Sequence, residues 1–196
     1  EPDGSGKFIT AFFRNAAVKE QVTNLLESRD GLICGICNGF QALIKLGLVP
    51  FGKICDTDEH CPTLTFNTIG RHQSKIVRTR VCSDKSPWLS EVNVGEVYSV
   101  PISHGEGRFI AEDDVLKSLI ANGQIATQYA DLDGNATGNV QFNPNGSKMA
   151  VEGILSPDGR VIGKMGHSER IGSGLYKNVP GDYDMKLFKA AVKYFK

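Results

Sequence analysis

Hydrophobic positions along the chain change period several times, and the changes outline its elements. Phe8, Phe12, Phe13, Val18, Val22, Leu25 and Leu26 fall roughly along one side of a helix, which predicts a single amphipathic helix over residues 8–27. The Asp30-Gly31 turn follows, and the short apolar run from Gly31 to Ile36 fits a buried strand. From Cys37 the spacing becomes helical, with Phe40, Leu43, Ile44 and Gly47 at i, i+3, i+4 and i+7, and Pro50 lies beyond the helix end. Strands are predicted at Thr63–Thr68, Lys75–Val81, Val97–Ile102 and Ile125–Tyr129. Two more, Met149–Leu155 and Val161–Met165, flank the Pro157-Asp158-Gly159 turn. A short helix is expected over 113–122 and a last amphipathic one over 184–195. Residues 131–147, rich in Gly, Asn and Asp, are expected to be loop. Alternation of strands and helices argues for an α/β layered domain.

Composition narrows the function classes. The 196 residues suffice for one domain with a substantial core. Lys plus Arg and Asp plus Glu each total 22, so the formal net charge is zero and no basic footprint for nucleic acid or an anionic membrane exists. Apolar runs stop well short of the roughly 20 residues of a membrane span. The polar opening, Glu1 to Gly6, resembles neither a signal peptide nor a natural start; it reads as the middle of a loop, so the chain is expected to be a fragment. Five cysteines (34, 37, 55, 61, 82) are an odd number confined to the first half, which fits a reducing cytoplasm with a thiol kept for chemistry.

Gly35-Ile36-Cys37-Asn38-Gly39-Phe40-Gln41 is the most specific segment. A strand that becomes a helix within a residue or two forces its corner residue into a sparsely allowed conformation, and flanking glycines make room for the turn. A Cys at that corner lies at a helix N-terminus, where backbone N–H groups and the dipole favour thiolate. The Asn38 amide is then one candidate oxyanion donor. Rival readings are a buried structural Cys37, a Cys34/Cys37 redox pair, and a zinc site drawn from Cys55, His60, Cys61, His72 and Cys82. The redox pair has Cys34 inside the strand and not at a helix start, and the zinc spacings match no standard hook.

Four histidines exist, and two sit in His-x-Glu after a predicted strand: His104-Gly105-Glu106 and His167-Ser168-Glu169. A residue at i+2 can hold an imidazole for a cysteine nucleophile in either, and spacing does not choose between them.

The Ile-Cys-Asn-Gly-Phe-Gln elbow resembles that of class I glutamine amidotransferases, in the form found in the phosphoribosylformylglycinamidine synthase family. The likeness runs through Leu64-Thr65-Phe66-Asn67 with Gly70-Arg71, the stretch Pro101 to Phe109, Asn143 to Ser147, Gly166 to Arg170 and Gly174 to Asn178. The resemblance implies a flavodoxin-like mixed sheet flanked by helices, and one glutaminase domain over residues 1–196. It implies a Cys37–His167–Glu169 triad, and substrate contacts from Asn38, Gln41, Asn67 and His104. It also implies glutamine as substrate, no metal or cofactor in this chain, and a synthetase partner, in the same polypeptide or complex, that uses ATP and Mg. No Walker-type segment is present here to do that second step. A second oxyanion donor is expected from a Gly-Gly-Phe-Ser-like loop, which would end where this chain begins; the strands before it would be missing too. Many relatives have prolines flanking the histidine, where this chain has Gly166 and Ser168. A hydrolase of the same architecture acting on another amide or a peptide, and a module without turnover, are the alternatives.

Overall fold

In the computed structural model, which describes residues 5–196, the chain forms a six-stranded mixed sheet with helices on its faces and a separate two-stranded sheet. Two helices lead in, α1 (Ser5–Phe13) and α2 (Ala16–Glu27). Strand β1 (Ile33–Ile36) runs into α3 (Asn38–Leu46), and the single turn α4 (Leu48–Phe51) follows. Next come β2 (Thr63–Thr65), β3 (Gln73–Val81), β4 (Val97–His104), β5 (Arg108–Ile110), α5 (Asp113–Ala121) and β6 (Ile125–Ala130). β7 (Val151–Leu155), β8 (Val161–Lys164) and α6 (Leu187–Tyr194) complete the order. The main sheet is ordered β1-β8-β7-β6-β3-β4; β1 and β8 are parallel and its other neighbours antiparallel, while β2 and β5 form the small sheet.

Alternation along the strands sends apolar side chains to both faces of the sheet. Ile125, Ile154 and Val161 pack with Phe40, Leu43 and Ile44 of α3 and Leu116 and Leu119 of α5. Their sequence neighbours Ala126, Leu155 and Ile162 face the other way, onto Trp88, Leu89 and Leu187 of α6. With both faces covered, the strands read as continuous apolar runs. Close approach of α3 depends on Gly35, where a Cβ would lie 2.5 Å from Leu43 Cδ1 and 2.7 Å from the Gly39 carbonyl carbon.

Strand β4 ends the sheet, yet its open side is occupied. Ser99 N donates to Asp182 O (2.7 Å), Pro101 O accepts from His167 N (2.9 Å), and Ser103 O accepts from the Cys37 thiol (3.6 Å). Cys37 and His167 follow β1 and β8, at the opposite end of the strand order. The sheet therefore curls until its two ends meet, as twisted sheets do when they begin to close.

Several expectations are corrected. The helix predicted over 8–27 is two helices, because Asn15 caps the second: its Oδ1 accepts from Ala17 N at 3.1 Å. Asn favours such local bonds over continuing a helix. Of the seven apolar residues along its one side only Leu26 is buried, while Phe8 and Phe12 are 82% and 64% exposed. Ser5 and Gly6, read as loop, begin α1; the rest of that loop reading, residues 1–4, lies outside the described residues. Met149, placed at a strand start, precedes β7 with φ +48°, so the strand begins only at Val151. Residues 131–147 lack regular structure, as composition predicted.

Candidate active site

Cys37 lies between β1 and α3 with φ +54° and ψ −108°, outside the regions an L residue normally occupies. Such strain costs about 1–3 kcal/mol and persists only where the surroundings impose it. Here they do: Cys37 N donates to Lys164 O at 2.9 Å, Cys37 O accepts the first helical bond from Gln41 N, and Gly35 admits the helix behind it. The sulfur sits at the N-terminus of α3, as the spacing predicted, and Cys37 is 2% exposed.

The parallel pairing of β1 with β8, in register Ile36↔Lys164, puts both strand ends on one side of the sheet. His167 lies in the turn just beyond β8. Its Nδ1 is 2.6 Å from Glu169 Oε1, and its Nε2 is buried with no partner among the described residues. A neutral ring that donates Nδ1–H to Glu169 presents Nε2 as a bare acceptor, the arrangement a cysteine base requires. The structure thus brings Cys37, His167 and Glu169 to one end of the sheet.

His104, the other His-x-Glu histidine, ends β4 and is built differently. Its Nδ1 meets Asn67 Oδ1 at 3.2 Å, while Glu106 uses its main-chain carbonyl to accept from Gln41 Nε2 at 2.7 Å. Burial, with His72 and His167 nearby, pushes the His104 pKa down to about 4, so the ring is neutral at ordinary pH. Asn67 holds this turn: its amide donates to His104 O and Arg71 O, its oxygen accepts from Gly107 N, and its main-chain N–H donates to Gly105 O. Gln41 and Asn67, singled out as substrate contacts, are therefore engaged with the main chain of the 104–107 turn. Asn38 opens α3 beside the sulfur.

Cys34 and Cys82 lie away from the corner, in β1 and just after β3. Burial pushes the Cys34 thiol up to about 12 and the Cys82 thiol up to about 11, which leaves both protonated and unreactive. Among the described residues, no three His, Cys, Asp or Glu side chains are arranged to hold a metal. His60 pairs with Glu112 and His72 with Ser103 Oγ. No described helix is long and apolar enough to cross a membrane.

Residues 1–195 match the CobB/CobQ-like glutamine amidotransferase domain. The chain belongs to this family. Its resemblance to such amidotransferases, read from the elbow and the later motifs, is borne out, and so is the mixed α/β fold. The chain is 34% identical to the phosphoribosylformylglycinamidine synthase subunit PurQ of Salinibacter ruber, over 94% of this chain and 71% of that protein. It is 37% identical to the subunit of the same name from Synechocystis, over 76% and 61%. Among solved structures it is similar to the structure of PurLQS from Thermotoga maritima, with 28% identity, a TM-score of 0.69, and 95% and 72% of the two chains covered.

Several residues that support the candidate site had no role assigned from sequence. Asn145 Nδ2 donates to Gly107 O and to Tyr129 Oη, and Ser147 Oγ accepts from Phe109 N, so the Asn143–Ser147 motif braces the loop below His104. Beneath His167 lies a buried ion pair, Glu152 with Lys164, at 3.3 Å. Its signal was available: Glu152 and Lys164 are the sole charges in β7 and β8 and stand symmetrically about the 157–159 turn. The departure at Gly166 also has a reason, since its N–H donates to the Glu152 carboxylate and a proline has none to give.

Proposed function

We propose that this chain is a single glutaminase domain, residues 1–196, of a phosphoribosylformylglycinamidine synthase, releasing ammonia from glutamine for amination at a separate synthetase site. The observation that carries this reading is the 2.6 Å His167–Glu169 pair beside the strained Cys37 elbow. Family membership and the names of the PurQ relatives support it.

The chemistry follows from the parts. His167 Nε2 takes the Cys37 thiol proton, and the sulfur attacks the side-chain amide carbon of glutamine. The Asn38 amide stabilises the oxyanion. The imidazolium, steadied by Glu169, passes its proton to the departing nitrogen; ammonia leaves, and a γ-glutamyl thioester remains on Cys37. Water then gives a proton to His167 Nε2 and attacks the thioester. Glutamate leaves, and the proton returns to the sulfur. Cys37 leaves the cycle as it entered.

In this reading Gln41, Asn67 and His104 shape the wall of the glutamine pocket through the 104–107 turn. ATP and Mg act in the synthetase part, in the same polypeptide or complex, and the setting is the cytoplasm, where neither nucleic acid nor membrane is a partner. Incubation of the intact protein with 6-diazo-5-oxo-L-norleucine, followed by peptide mapping, tests the site. A single adduct on Cys37, suppressed by glutamine and absent in Cys37→Ala, is expected; an adduct on another cysteine overturns the assignment.

A further inference from the structure

Glu152 and Lys164 take no part in the steps above, yet both side chains are fully buried. Burying an ion pair is a poor way to gain stability, since apolar side chains of similar size usually do as well or better. What the pair adds is direction. Lys164 Nζ donates to Gly166 O and to Ser168 Oγ, each at 2.9 Å, and Glu152 accepts from Gly166 N and Thr127 Oγ1. The two charges thus hold the residues immediately before and after His167. Gly166 is gripped at both its N–H and its carbonyl.

That grip answers a local weakness. A side chain at position 166 would have to displace its neighbours, because a Cβ would lie 2.7 Å from Val100 Cγ2 and 2.9 Å from Glu152 Oε1. Glycine there leaves the backbone free to move where the imidazole must stay aimed. Buried hydrogen bonds to fixed charges are the strong kind and take that freedom away.

We propose that Glu152 and Lys164 form a positioning pair that fixes the turn carrying His167, holding its imidazole on Glu169 and toward Cys37. The proposal rests on the reading of His167 as the base, and its test separates the two. The measurement uses the intact protein labelled with 15N-histidine, in which the proton on His167 Nδ1, assigned by its disappearance in His167→Gln, reports the bond to Glu169. In the paired variant Glu152→Gln/Lys164→Met no buried charge is left alone, so the fold is expected to survive with a melting temperature within about 4 °C of the parent. The Nδ1 proton signal is expected to broaden away, and kcat for glutamine to fall ~10- to 100-fold with KM changed less than about twofold. Retention of the parent signal in the folded variant overturns the proposal. A parent protein that shows the proton but no glutaminase activity defeats only the functional reading.

If the paired variant does not fold, Ser168→Ala and Ser168→Thr decide the matter. Loss of the signal in Ser168→Ala with recovery in Ser168→Thr, which restores an acceptor for the ammonium, supports the pair. The parent signal in Ser168→Ala overturns it.

Discussion

The main-chain amide of Cys37 donates to the carbonyl of Lys164 over 2.9 Å, which fastens the elbow to the last residue of the strand that leads into the His167 turn. The elbow and the start of the His167 turn are therefore tied together by a sheet bond. Sites built on sheet ends hold their geometry better than sites on loops alone.

Replacing Cys37 with Ala removes the proposed nucleophile and leaves the small side chain the corner tolerates. Glutamine hydrolysis is expected to fall roughly 10⁴-fold or more, measured as glutamate release.

Glu169→Gln keeps the shape of the partner to His167 and removes its charge. The loss of imidazolium stabilisation is expected to lower kcat by about 10²–10⁴-fold, with the Cys37 peptide still labelled, more slowly, by the glutamine analogue.

Alkylation with iodoacetamide at pH 8, followed by peptide mapping, is expected to modify Cys37 long before Cys34 or Cys82. The latter two are held up at about 12 and about 11, so thiolate is scarce in both at that pH.

His104 gives the fold a sensitivity to acid. Its pKa is about 4 in the native state and near 6.5 when unfolded, so between those values the unfolded chain binds the extra proton. Stability from this group is full above about 6.5, declines by up to about 3 kcal/mol as the pH falls to about 4, and is level below that. His104→Gln is expected to flatten this decline in urea midpoints measured from pH 7 to 4.

Gly35→Ala places a methyl group against Leu43 and the backbone of Gly39. A cost of about 1–3 kcal/mol in urea unfolding is expected, since the backbone cannot yield as a side-chain tip can. Displacement of α3 would carry Cys37 with it and slow its labelling.

Much of this architecture was readable in advance because it is local. The strand–Cys–helix elbow is written in one apolar run, a change of period and two glycines, and the structure places the strained corner at Cys37. The His167–Glu169 pair is likewise a contact between near neighbours. Two kinds of feature escaped. The Asn15 break was hidden because apolar spacing continues through it on both sides, although Asn is a frequent cap. The Asn67 clamp joins segments far apart in the chain, and the Glu152–Lys164 pair, though it spans a single hairpin, rests on a cross-strand register that apolar spacing does not reveal.

That curl has a consequence for solubility. Alternate residues of β4, Ser99, Pro101 and Ser103, present their backbone groups on the side away from β3, where a foreign strand could add. Asp182, His167 and Cys37 occupy those positions in turn, and Pro101 has no N–H to offer in any case. The residues proposed for chemistry thus also act as the seal on an otherwise adhesive border. Lesions that loosen the His167 turn should reveal themselves first as sticky protein, before any assay is run.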